Sequence, residues 1–112
     1  MFDINEYGNI IMTKGDSGCF SVLTLQGKHC KPVLYDIQPE DILHFTVRNI
    51  YTDEIALSKD ITGANTFYFV PSDTQNLKVG KYKYDVQLDC SRGIYTVIPT
   101  NTFIIDGEVT YA

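Results

Sequence analysis

The 112 residues carry nine Lys or Arg against fourteen Asp or Glu, a formal net charge of −5, with 44% hydrophobic content. A chain of this length makes one domain, 1–112, burying roughly 65% of its unfolded surface without metal or disulfide staples. The scattered charges exclude a dedicated phosphate or nucleic-acid face, and no run approaches the roughly 20 apolar residues of a membrane span.

Residues 1–8, polar but for isolated apolar side chains, are expected to be a loosely held lead-in. They lack a basic segment followed by an apolar one, so no export signal is expected. The odd set Cys19, Cys30 and Cys90 then reads as reduced packing or surface thiols. Ile10 to Met12 opens the first predicted strand, and Thr13 to Gly18 turns the chain with two glycines and the side-chain oxygens of Asp16 and Ser17. Cys19 to Leu25 is apolar on both faces, as an inner strand would be. A polar loop to Pro32 precedes a short strand, Val33 to Ile37, bracketed by Pro32 and Pro39. Ile42 to Tyr51 is a long strand whose core face is Leu43, Phe45, Val47 and Asn49. Ile55 to Ser58 is a shorter strand, Asp60 to Asn65 a turn, and Thr66 to Val70 a further strand.

The organising stretch is Pro71 to Leu88. Pro71, Ser72 and Asp73 stop a strand and start a turn, with at most one helical turn over Ser72 to Leu77. From Gly80, the residues Tyr82, Tyr84, Val86 and Leu88 alternate with Lys81, Lys83, Asp85 and Gln87, the period of a half-buried strand. Asp73, Thr74, Leu77, Gly80, Tyr82 and Tyr84 form the candidate structural motif. Leu77, Gly80 and Tyr82 are spaced like a tyrosine corner, in which a Tyr hydroxyl bonds upstream backbone; the alternative is an ordinary aromatic at the core rim. Asp89 to Gly93 is predicted as a loop, Ile94 to Pro99 as the strand completing a hairpin, and Thr102 to Ile105 as a separate strand beyond Thr100 and Asn101. Glu108, Val109, Thr110 and Tyr111 form a last strand, the candidate interaction edge. No window keeps a helical apolar stripe. The fold class is therefore all-β, an immunoglobulin-like antiparallel β-sandwich of about seven to nine strands.

Chemistry is sparse in this pattern. Cys19, His29, Cys30, His44 and Cys90 lack the paired spacing of a metal site, and Cys30, His44 and Asp41 make a nucleophile–base set only by arbitrary choice. Lys14 to Gly18 lacks the phosphate-loop form. No enzyme, cofactor or metal is expected. Most tyrosines fall within predicted strands, where they are good strand formers.

Thr13 to Gly18, Pro71 to Thr74 before Leu77, Gly80 to Gln87, Thr96 to Pro99 and Phe103 to Val109, in this order, resemble small β-sandwich proteins of tailed phages and prophages, notably the N-terminal domain of upper baseplate proteins. The resemblance implies a non-enzymatic structural or adaptor module of a phage tail or baseplate. Such a module would dock to other tail proteins, reside in the host cytoplasm and then the virion, and possess a capacity to form homo-oligomers. It covers nearly the whole chain, and no following receptor-binding or oligomerising region is expected. Two alternatives stay open: a small phage inhibitor of a host defence or regulatory protein, and a carbohydrate-binding module using Tyr35, Tyr51 or Tyr95.

Overall fold

The structure is a computed structural model that describes residues 2–22, 25–26 and 33–107, with backbone alone at 25–26 and 33–34. In chain order the strands are β1 (Phe2–Ile4), β2 (Ile10–Thr13), β3 (Gly18–Ser21), β4 (Leu25–Gln26), β5 (Val33–Leu34), β6 (Ile42–Asn49), β7 (Ile55–Thr62), β8 (Thr66–Phe69), β9 (Gly80–Cys90) and β10 (Gly93–Asp106). A short helix α1, Pro71–Thr74, joins β8 to the loop before β9. Among the described residues six strands make one sheet, ordered β1-β2-β10-β9-β6-β7, while β3 pairs with β8 and β4 with β5.

Strand period decides which side chains go inside. Along β6 and β9 burial alternates, so that Leu43, Phe45 and Val47 share a face with Tyr82, Tyr84, Val86 and Leu88. Register sets these rows opposite one another: Leu43 lies across from Leu88, Phe45 from Val86, and Val47 from Tyr84. Ile10 and Met12 of β2 continue the face through Phe103 and Ile105 of β10. The β3–β8 pair lies over it, with Phe20, Phe67 and Phe69 turned inward. All six phenylalanines of the chain thus meet in one cluster. Phe45 is its hub, with ring centroids 5.2 Å from Tyr84, 5.4 Å from Phe69, 5.5 Å from both Phe20 and Phe67, and 6.1 Å from Phe103.

The all-β expectation holds for the described residues, and several element boundaries differ from the sequence reading. The lead-in contains β1, which pairs antiparallel with β2 because Phe2 finds aromatic neighbours in Phe20 and Phe69. Pairing is not antiparallel throughout: β2 runs parallel to β10 over four residue pairs, Phe103 to Asp106 against Ile10 to Thr13. β3 ends at Ser21 and among the described residues pairs only with β8, and its Cys19 and Ser21 are exposed rather than sandwiched between neighbours. β7 runs on to Thr62, since Asp60 points to the wet face and reaches His44 instead of turning the chain. The hairpin turn after β9 shrinks to Ser91 and Arg92. The two predicted strands after it are one, β10, whose register slips between Thr96 and Ile98 and again between Ile98 and Asn101. Pro99, which cannot donate to a ladder, sits within that irregular stretch. The short strand after Pro32 is limited to Val33–Leu34.

Truncating the hub ring is the sharpest test of this core. Phe45→Ala is expected to cost about 3–5 kcal/mol, as large aromatic truncations in dry cores do, and urea unfolding monitored by circular dichroism measures it. A loss under about 1 kcal/mol would remove Phe45 from the centre of the fold.

Candidate docking surface and its brace

The motif residues serve the fold's own backbone. After β8, Val70 is extended and Pro71 takes the first helical position, where its missing N–H costs nothing. The Asp73 carboxylate accepts the Val70 N–H at 2.9 Å and pairs with the Lys59 ammonium at 2.8 Å. That ammonium also stands 5.5 Å above the Phe69 ring centroid, so one cation links β7, β8 and α1. Thr74 is fully buried, and its Oγ1 accepts the Gly15 N–H at 2.9 Å, tying the turn between β2 and β3 to the helix. Leu77 packs at the core margin and donates its N–H to the Thr74 carbonyl at 2.9 Å.

Two tyrosines of β9 complete the brace. Tyr82 Oη donates to the Lys78 carbonyl at 2.6 Å, four residues upstream. Between them Gly80 has φ of +151°, a backbone that residues with a Cβ rarely adopt, which lets the chain swing into β9. Tyr84 Oη donates to the Gly8 carbonyl and so anchors the turn between β1 and β2. Burial pushes the Tyr84 hydroxyl up to about 12.

Among the described residues two long strand borders remain on the large sheet, and they differ. β7, the outer strand on one side, carries Lys59 and Asp60, charges of the kind that discourage a foreign strand. β10 has β9 on one side along its length but β2 on the other only from Phe103 to Asp106. From Gly93 to Ile105 the strand has no charged residue. Among the described residues its free border is a one-sided, neutral ladder, with Ile94 64% and Tyr95 49% exposed. Tyr95 Oη reaches back to the Arg92 carbonyl at 3.2 Å, stiffening the tip. The strand at Glu108, Val109, Thr110 and Tyr111, expected to be the interaction edge, lies outside the described residues, as do His29 and Cys30. The β10 border was not singled out from sequence, although the uncharged run from Gly93 to Ile105 was its visible signal.

The remaining polar candidates are dispersed. His44 Nδ1 lies 2.7 Å from Asp60 and Nε2 3.8 Å from Asp89, on the wet face of the sheet. Asp41 is instead directed to Tyr35 Oη at 2.5 Å and the Gln38 N–H at 2.9 Å. That hydrogen bond, more than burial, raises the Tyr35 hydroxyl to about 12. No group of three or more His, Cys, Asp or Glu among the described residues is placed to hold a metal ion. Cys19 and Cys90 are free thiols. Tyr51, 90% exposed at the β6–β7 turn, and Tyr95, in register with Leu88, stand toward opposite ends of the sheet, so the tyrosines do not form one stacking platform. Comparison with protein-family models, curated proteins and solved structures finds no match.

Two outcomes follow from the brace. Tyr82→Phe is expected to lose about 1 kcal/mol, the net worth of one hydrogen bond, with an unchanged circular dichroism spectrum; a neutral result would make Tyr82 a packing residue only. Tyr84 sets an alkaline limit. Tyrosines of the unfolded chain ionise near pH 10 and this one near 12, so the folded state holds a proton that the unfolded state has released. Its contribution is complete below pH 10 and is lost as pH rises toward 12. Urea midpoints should fall over that window in the wild type and fall less in Tyr84→Phe; equal slopes would overturn the assignment.

Proposed function

We propose that the chain is an immunoglobulin-like β-sandwich acting as a non-enzymatic structural or adaptor module of a phage tail or baseplate, working by docking to other proteins. The single observation that carries the docking reading is the neutral, one-sided border of β10 with Ile94 and Tyr95 exposed at its tip. An unpaired ladder of this kind satisfies its N–H and C=O groups with a strand from another chain, while side chains on alternate residues choose the partner. The irregularity at Ile98 and Pro99 confines regular pairing to the stretch nearest the hairpin turn, so the contact is short and side-chain contacts contribute much of its affinity.

The sandwich reading is supported by a large sheet and the β3–β8 pair facing each other across an aromatic core. It is supported also by Tyr82, whose bond to upstream backbone has the form of a tyrosine corner. The phage setting comes from the order of motifs along the chain, from the Thr13–Gly18 turn to the Gly80–Gln87 strand.

Mass spectrometry of purified particles of the encoding phage, counted against a known tail protein, tests the setting. The chain is expected in fixed ratio, in multiples of about three or six as tail symmetry dictates. Its absence from particles despite strong expression during infection would overturn the structural role. A double variant, Ile94→Lys with Thr96→Lys, tests the border: it should fold normally and be depleted from particles, and normal incorporation would remove β10 as the docking edge.

A further inference from the structure

The first strand sits in its place differently from any other. β1 is three residues long and lies outermost in the large sheet, so among the described residues its departure breaks no pairing but its own with β2. Asp3 and Ile4 are exposed, as are Asn5, Glu6 and Tyr7 after it. Besides the ladder to β2, Phe2 is the one side chain of β1 packed against the core. The Phe2 ring stacks on Phe69 at 5.4 Å and Phe20 at 6.0 Å, over Gly18. A Cβ built on Gly18 would stand 2.6–2.7 Å from three atoms of Phe2, and these are its nearest neighbours. The missing side chain of Gly18 is therefore the floor of a slot whose shape is that of this ring.

The link between arm and body is short and defined. Gly8 is pinned by Tyr84 Oη, so the chain is fixed from that point on. Ahead of it, the turn is closed by the Asn5 carboxamide, which accepts the Tyr7 N–H at 2.9 Å and the Asn9 N–H at 3.0 Å, and by the Gly8 N–H bonding the Asn5 carbonyl at 3.0 Å. The two bonds to the Asn5 carboxamide are exposed, where water replaces them at little net cost.

We propose that β1 is an exchangeable arm, and that the slot over Gly18, together with the border of β2, accepts the Phe2–Ile4 strand of a second copy of this chain. The occupant is specified by what the slot already holds: an aromatic ring at the first position, running antiparallel to β2 with Phe2 opposite Met12 and Ile4 opposite Ile10. A second copy supplies that strand with the same contacts, so exchange trades only the Asn5–Gly8 turn and the closeness of an arm to its own body. Packing of copies at high local concentration in an assembly tilts that balance toward exchange. The inference rests on the docking reading and names one partner for it, at a site separate from the β10 border.

Complementation between two damaged copies is the test. Gly18→Val fills the slot but keeps the arm, since the added Cβ meets Phe2 first. Phe2→Ala keeps the slot but lacks the ring. Each alone is expected to run at the 12.7 kDa of one chain in light scattering at sub-millimolar concentration, and the equimolar mixture at twice that mass. A mixture that stays at single-chain mass with both variants folded by circular dichroism overturns the proposal, as does a dimer that persists when both copies carry Phe2→Ala. If Gly18→Val does not fold, a labelled peptide of residues 2–7 replaces it. Binding to the Phe2→Ala chain, and its loss when the peptide's Phe is changed to Ala, supports the arm; absence of binding overturns it, as does preference for an unrelated aromatic strand. Presence of the chain in phage particles is scored independently, so a failed complementation leaves the docking reading standing.

Discussion

The fold depends on one ring being surrounded by others. Phe45 sits on β6, between β9 and β7 in the large sheet, and touches rings from β3, β8, β9 and β10. Aromatic pairs at these separations add to the area they remove from water, and a close-packed core forfeits contacts on every side when one member shrinks. The β3–β8 pair has no third strand among the described residues and is held over the large sheet by this cluster. Its position follows from ring packing more than from hydrogen bonding.

Around the cluster, polar groups do a second job. Thr74, Asp73, Tyr82 and Tyr84 each send a side-chain oxygen to backbone of a turn, at Gly15, Val70, Lys78 and Gly8. Turns carry the backbone groups that sheets leave unpaired, and buried ones need partners. The motif read from sequence is thus a set of loop clamps. It fixes the turns that position the borders and tips of the sheets.

The alternation in Ile42–Asn49 and Gly80–Leu88 made the two central strands legible, because a half-buried strand writes its period into the sequence. The turn at Pro71–Asp73 was legible for the same local reason. What was hidden depended on partners distant in the chain. Phe2 looks like part of a polar lead-in until Gly18 and Phe69 are beside it. Asp60 looks like a turn residue until His44 stands opposite. Thr100 and Asn101 look like a break, whereas β10 absorbs them by slipping register. The parallel pairing of β2 with β10 has no local signature at all. As for the candidate docking surface, the neutrality of β10 was visible in the sequence, but its one-sided pairing required the topology.

That parallel pairing also constrains how the molecule comes into being. Ile10–Thr13 must wait for Phe103–Asp106 before it has a neighbour other than β1, and Gly15 waits for Thr74. Contacts this far apart in sequence give slow folding, since the closure entropy is met before the contacts that reward it form. On the ribosome the large sheet stays incomplete until residue 106 has emerged, and the apolar Ile10, Ile11 and Met12 lie uncovered until then. A chaperone bound to the emerging chain would find its first strong purchase there, and a stalled product ending before β10 would be a substrate for proteolysis rather than a smaller working domain.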